Sequence, residues 1–274
     1  MRLPYNKLRE FVHMGRGIRG RYSRCREWWQ PHLQCTKEFI RENISPCEQL
    51  LVLGAGSLLD IEVDTLLNVC ETIHLYDADH TCEEAWAAAA GKEYGKRVQG
   101  HFADCTETLK RWSAGLSAAV RSNTLSDFLA SCVAPIPEWQ GIQFQGVISL
   151  NLLGQLPLYW RDRVVKMKPN LTQEEIVSLT ASMGRLQRAH LEGLAKRNSA
   201  WSILLTDTEY YFYQTDSCEW RVEPALFGEV PQLVRHAYQG VGEAERWFWH
   251  VAPQYVESDD EGEIHRVEAF FRRK

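Results

Sequence analysis

The sequence predicts a doubly wound α/β fold: a seven-stranded sheet, mostly parallel, with helices on both faces and an antiparallel hairpin at its C-terminal end. Residues 50–53 (Leu-Leu-Val-Leu) have no polar member, as expected of a parallel strand covered on both faces. Gly54 and Gly56 follow at once, and Asp77 closes a second apolar run over residues 73–76, so one β-α-β unit ends in a carboxylate. Further runs at 97–103, 145–150 and 201–205 are separated by stretches of helical composition, while 247–251 and 265–271 alternate with the two-residue period of antiparallel strands.

Taken in order, residues 1–47 form a basic segment distinct from residues 48–274. It carries ten Lys/Arg against four Asp/Glu, a local +6 that leaves −11 for the remainder of a chain whose total is −5. Residues 15–21 (Gly-Arg-Gly-Ile-Arg-Gly-Arg) are too rich in glycine for a stable helix, and residues 22–43 read as helix interrupted at Pro31. Two readings stand for this segment. One is a flexible arm and two short helices packed over the open side of the fold; the other is an arm that binds RNA through Arg16, Arg19, Arg21, Arg24 and Arg26, with Trp28 and Trp29 as stacking surfaces.

The glycines at 54 and 56 let the chain turn sharply and let main-chain N–H groups approach a ligand. A helix is expected to open near Ser57, and Asp77 stands where such folds bind the ribose hydroxyls of a nucleotide-like ligand. The third glycine of a dinucleotide fingerprint would fall at Leu59, which disfavours a nicotinamide or flavin dinucleotide and an oxidoreductase. Asp60 reads as an acid of the first helical turn, favourable to the helix dipole.

Residues 80–94 are helical by propensity, and the third strand ends in Asp104-Cys105. Residues 106–143 are long enough for two helices and a loop. The fourth strand leads into Asn151 and Gln155, which the fold rule for open sheets brings to the same crevice as Gly54 and Asp77. Thr172-Gln173-Glu174-Glu175 is a capping box opening a helix of about 25 residues, and His190 lies on its apolar face as a core residue. The fifth strand ends at Asp207 and Glu209, and residues 210–213 either continue it or wall a substrate site. Residues 214–245 show no motif, and the acidic run at 257–263 reads as a solvated connection.

Composition bounds the function. With 45% hydrophobic and 24% charged residues, the chain is an ordinary globular protein. A net charge of −5 excludes a molecule built throughout to bind polyanions. No apolar run approaches the roughly 20 residues a membrane helix needs. The opening stretch lacks the apolar core of a secretory signal, so a cytoplasmic location and no membrane partner are expected. Eight cysteines without a Cys-x-x-Cys pair argue against structural zinc and a disulfide framework. His32 and Cys35 are three apart but lack two further ligands, and no metal is expected.

The glycine turn, its acid and the strand order together resemble the class I S-adenosylmethionine-dependent methyltransferases, whose Rossmann-like sheet is closed by a terminal hairpin. Their first motif, acid-x-Gly-x-Gly-x-Gly, differs here twice: Val52 replaces the acid and Leu58 the last glycine. The chain is also similar to bacterial proteins of this superfamily that share Val-Leu-Gly-Ala-Gly-x-Leu-Leu-Asp and an arginine-rich N-terminal helix. The resemblance implies S-adenosylmethionine bound by Gly54, Ala55, Gly56, Asp77, Ala78 and Asn151. Asp104 would accept from the adenine amine and Cys105 would pack on the ring; the alternative for Asp104 is a turn acid capping the helix that begins near Thr106. Asn151 and Gln155 are the candidates for residues near the transferred methyl, with a packing role for Asn151, capping the next helix, as the alternative; Asp207, Glu209 and His250 are the candidate bases, Asp207 being the third catalytic candidate. The expected activity is methyl transfer to a small molecule; a non-catalytic binding protein of the same fold and an RNA methyltransferase are the alternatives.

Overall fold

The computed structural model describes residues 9–104, 108–136, 142–238 and 244–274. Two helices, α1 (Arg9–Arg24) and α2 (Arg26–Asn43), precede the sheet. Next come β1 (Cys47–Leu53), α3 (Val63–Leu67), β2 (Cys70–Asp77), α4 (Glu83–Ala90), β3 (Val98–Phe102), α5 (Leu109–Arg121) and α6 (Leu125–Ser131). The chain continues through β4 (Gly146–Leu150), α7 (Leu152–Met167), α8 (Gln173–Lys196), β5 (Trp201–Gln214) and β6 (Glu219–Pro224), and ends with α9 (Val230–Ala237), β7 (Glu245–Ala252) and β8 (Gly262–Arg273).

The strands form one sheet in the order β3-β2-β1-β4-β5-β8-β7, with β6 paired to β5 outside that path. The first five strands are parallel and the last three pair antiparallel. This is the expected doubly wound Rossmann-like arrangement, with one strand more than the seven foreseen. The strand order reverses between β1 and β4, which opens a crevice at their carboxyl ends. Leu50, Leu51, Val52 and Leu53 are all fully buried. Leu50 and Val52 face one apolar cluster with Trp86 and Ile148, while Leu51 and Leu53 face another with Leu153 and Leu204; burial of both faces is why this strand has no polar member.

Four expectations need correction. Residues 15–21 lie inside α1, not in a flexible arm, and α2 runs unbroken through Pro31. Three glycines cost α1 about 1 kcal/mol each, a deficit met by contacts on the rest of the molecule. Gly15 approaches so closely that a Cβ would run into Asp79 Oδ2. The helix expected at Ser57 does not form. Leu58 takes a left-handed φ of 59° and its N–H closes a tight turn on Ala55 O, which delays the helix to Val63. Residues 214–245, which show no motif in the sequence, hold β6 and α9. Finally, the run at 257–263 is no mere solvated connection, because Glu257 accepts two hydrogen bonds from Arg24, each 2.7 Å.

Residues 210–213 continue β5, and the capping box at Thr172 and Glu175 forms as expected. Among the described residues no helix is long and apolar enough to cross a membrane.

Candidate functional site

The candidate site lies at the carboxyl ends of β1, β2 and β4. Gly54 has φ 74°, and a Cβ there would stand 2.7 Å from Leu150 O, so β1 can turn against β4 only with glycine at this position. The amides of Gly54 and Ala55 both donate to Tyr76 O, at 3.0 and 3.1 Å. Asp77 then latches the turn: its Oδ2 accepts from Gly56 N and its Oδ1 from Asp79 N, each at 2.8 Å. Burial pushes the Asp77 pKa up, against the pull of the Asp79 and Gly56 amides. Trp86 Nε1 donates to Gly56 O at 2.8 Å and fixes the turn from the other side.

Asn151 follows β4 with a left-handed φ of 48°. It is only 4% exposed, and neither polar atom of its side-chain amide has a hydrogen-bond partner. Its main-chain N–H donates to Leu205 O at 2.8 Å. Continuing the registers of β4 with β1 and β5 brings Asn151 level with Ala55 on one side and Thr206 on the other. The structure therefore brings Gly54, Ala55, Gly56, Asp77, Ala78 and Asn151 to one edge, with Gln155 in the first turn of α7. Asp104 stands just past the end of β3, next to β2. Cys105 lies outside the described residues.

The three candidate bases are placed otherwise. Asp207 is fully buried, its Oδ2 3.2 Å from His265 Nδ1 in an ion pair rather than a well-aligned hydrogen bond. The other nitrogen of His265, Nε2, is 2.8 Å from Glu263 Oε1. Burial opposes a charge on His265, but the Asp207 and Glu263 carboxylates outweigh it and raise its pKa to about 9. Asp207 is thus paired with His265 inside the sheet. Glu209 accepts from Arg266 at 2.9 Å and from Tyr211 at 2.5 Å. His250 sits on β7, three places from β4 in the sheet order and beside Trp28, so it does not belong to this edge.

The arginines expected to face RNA are largely committed within the chain. Arg19 donates to Asp79 Oδ2 (2.9 Å) and Thr81 Oγ1 (2.8 Å), and Arg21 and Arg24 both reach Glu257. Arg16 and Arg26 are exposed. Trp29 is no stacking surface: it is 2% exposed, edge-on to Trp249, with Nε1 donating to Val251 O. Phe11, near the start of α1, stacks on Tyr159 of α7 at 5.1 Å. With Arg19 on the loop after β2 and Phe11 on α7, α1 spans the crevice as a roof.

His32 is held within the protein by tryptophans. His32 Nδ1 accepts from Trp247 Nε1 at 2.9 Å, and its ring stacks on Trp249. No group of three metal-binding side chains occurs among the described residues. Asp60, outside any helix, lies 3.7 Å from His32 Nε2. His190 is a core residue as expected, 3.0 Å from Ser149 Oγ, and burial lowers its pKa to about 4. Sequence reasoning missed Asp79, the anchor for Arg19, and the pairing of Asp207 with His265, because neither contact leaves a local spacing signal.

No protein-family model and no curated protein matches the chain. Among solved structures, an S-adenosylmethionine-dependent methyltransferase from Aquifex aeolicus is 11% identical, with 97% of this chain and 99% of that one covered at a TM-score of 0.36. TrmK from M. capricolum, solved with S-adenosylhomocysteine, is 10% identical, with 86% and 67% covered at 0.34. Precorrin 8w decarboxylase from Methanobacterium thermoautotrophicum is 8% identical, with 86% of each chain covered at 0.33. Likenesses this distant carry no argument about ligand or reaction, and the fold stands on the strand order described above.

Proposed function

We propose that the chain binds S-adenosylmethionine in the crevice between β1, β2 and β4 and directs its methyl group to a small molecule. The observation that carries this reading is the convergence on one edge of the Gly54-Ala55-Gly56 turn, the Asp77 carboxylate and an Asn151 amide that is buried with nothing to bond. A buried polar group left unbonded costs about 1–3 kcal/mol, and a polar ligand would relieve that cost. The turn also favours a ligand without a pyrophosphate. The helix that follows it in the chain begins only at Val63, so that helix does not point its free N-terminal amides at the turn.

S-adenosylmethionine, when bound, supplies an electrophilic methyl on a sulfonium. The chain's own part is alignment. Asp77, held by Gly56 N and Asp79 N, keeps lone pairs for ribose hydroxyls. In this reading Asp104, just past the end of β3, takes the adenine amine, and Asn151 and Gln155 orient the acceptor. Asp207 and Glu209 are paired with His265 and Arg266, and His250 lies away on β7 beside Trp28, which favours an acceptor atom that needs no base from this set. A small acceptor is favoured because α1 roofs the crevice and because Arg19, Arg21 and Arg24 are tied to Asp79 and Glu257.

A second reading, binding without catalysis, is favoured by the same engagement of the candidate bases. Calorimetry with S-adenosylmethionine and S-adenosylhomocysteine tests both readings. Binding that falls at least tenfold in a folded Asp77→Ala variant is expected; absence of heat with either ligand, or uptake undiminished in that variant, overturns the site. Labelled methyl transfer to small-molecule extracts then separates an enzyme from a binder.

A further inference from the structure

At the opposite pole of the sheet, Cys47 opens β1 and Cys70 opens β2, and the two are direct register partners. Their sulfurs lie 3.1 Å apart. Adjacent strands run about 4.8 Å apart, within the Cα separation of about 4.4–6.8 Å that a disulfide tolerates, and direct partners project to the same face. Cys70 is 2% exposed, whereas Cys47 is partly exposed. The other described thiols, at 25, 35, 82, 132 and 218, have no thiol partner among the described residues. Neither sulfur has a role in the crevice, and nothing in the sequence marks the pair, since 22 residues intervene.

We propose that Cys47 and Cys70 form a reversible dithiol–disulfide site that reacts with small-molecule disulfides of the glutathione class. The partly exposed Cys47 sulfur, as thiolate, attacks one sulfur of the incoming disulfide. It forms a mixed disulfide and expels the first small thiol. The Cys70 sulfur, having lost its proton to solvent, then attacks the Cys47 sulfur, closes the Cys47–Cys70 bond and expels the second thiol. Two protein thiols are oxidised and one small disulfide is reduced to two thiols. In the resting pair the Cys47 thiol donates its hydrogen bond to Cys70, which raises the Cys47 pKa and lowers that of Cys70, so Cys47 gives up its proton to solvent as it attacks; in the mixed disulfide that hydrogen bond is gone, and the positive charge of Arg97 still favours the Cys70 thiolate for the resolving step. The new bond would staple β1 to β2 at their amino ends, and the site does not depend on the proposed methyl transfer.

The test equilibrates the full chain in graded mixtures of reduced and oxidised glutathione, followed by alkylation and non-reducing peptide mass spectrometry. The expected product is one peptide pair joined through Cys47 and Cys70, with the free-thiol titre reduced by two from the eight cysteines of the sequence. The thermal midpoint should rise by roughly 5 °C, and dithiothreitol should reverse both changes. Cys47→Ser, or Cys70→Ala if that variant folds better, abolishes the joined peptide, while Cys218→Ser retains it. Glutathione adducts confined to Cys35 or Cys218, or a disulfide joining any other pair, overturn the proposal.

Discussion

His265 should be an imidazolium at neutral pH, and the fold should lose stability as it deprotonates. It is 5% exposed, with Asp207 at 3.2 Å on one ring nitrogen and Glu263 at 2.8 Å on the other. Its pKa rises from an ordinary 6.5 to about 9, a difference equivalent to about 3 kcal/mol between the folded and unfolded states. Because the folded value lies above the unfolded one, this stabilisation is complete below pH 6.5 and is lost as pH rises through about 9. Urea denaturation at pH 6, 7.5 and 9.5 measures the decline. Histidine-selective NMR assigns it, with the His265 signals expected to stay those of the charged ring until about pH 9. A His265 ring already neutral at pH 7 would refute the reasoning. The magnitude is a large share of the roughly 5–15 kcal/mol by which a domain is stable.

Three further outcomes are expected. Asn151→Gly removes two unbonded polar atoms and a left-handed non-glycine residue; stability should stay within about 1 kcal/mol by urea titration, while calorimetric affinity for S-adenosylmethionine falls more than tenfold, and retained affinity counts against the site. Arg19→Ala frees the loop after β2 from α1. Hydrogen exchange across residues 9–24 should quicken about fivefold, as expected for an ion pair with a partly exposed arginine worth about 1 kcal/mol, with retention on RNA unchanged. Trp29→Ala empties the joint between α2 and β7 and should cost about 3–5 kcal/mol by urea denaturation; a loss below 1 kcal/mol would mean that α2 is not anchored there.

The parts of the fold visible in the sequence are those whose pattern is imposed locally. Residues 50–53 of β1 read as an unbroken apolar run because both faces are covered, and α8 announces itself through the reciprocal bonds of Thr172 and Glu175. Gly54 and Asp77 were legible for the same reason: one meets a steric demand of the backbone, the other a fixed place at a strand end. What stayed hidden depends on distant partners. α1 looks non-helical because its compensation comes from Asp79 and Glu257, 60 and 233 positions from Arg19 and Arg24. β6 escaped notice because most of its residues are exposed, so no alternation of burial is written into it. Asp207 looked like a strand-tip acid, and only folding reveals His265 beside it.

The anchoring of α2 has a consequence for synthesis. Trp29 packs against Trp249 and donates to Val251, 222 positions further along the chain. At about 5–20 residues per second, a ribosome delivers that partner roughly 10–45 s after Trp29. Throughout that interval the apolar side of α2, with Trp29, Leu33 and Phe39, has no β7 to rest on. The nascent chain therefore carries a sticky amphipathic segment ahead of its own receptor, and the hairpin of β7 and β8, made long after it, is the one that shields it.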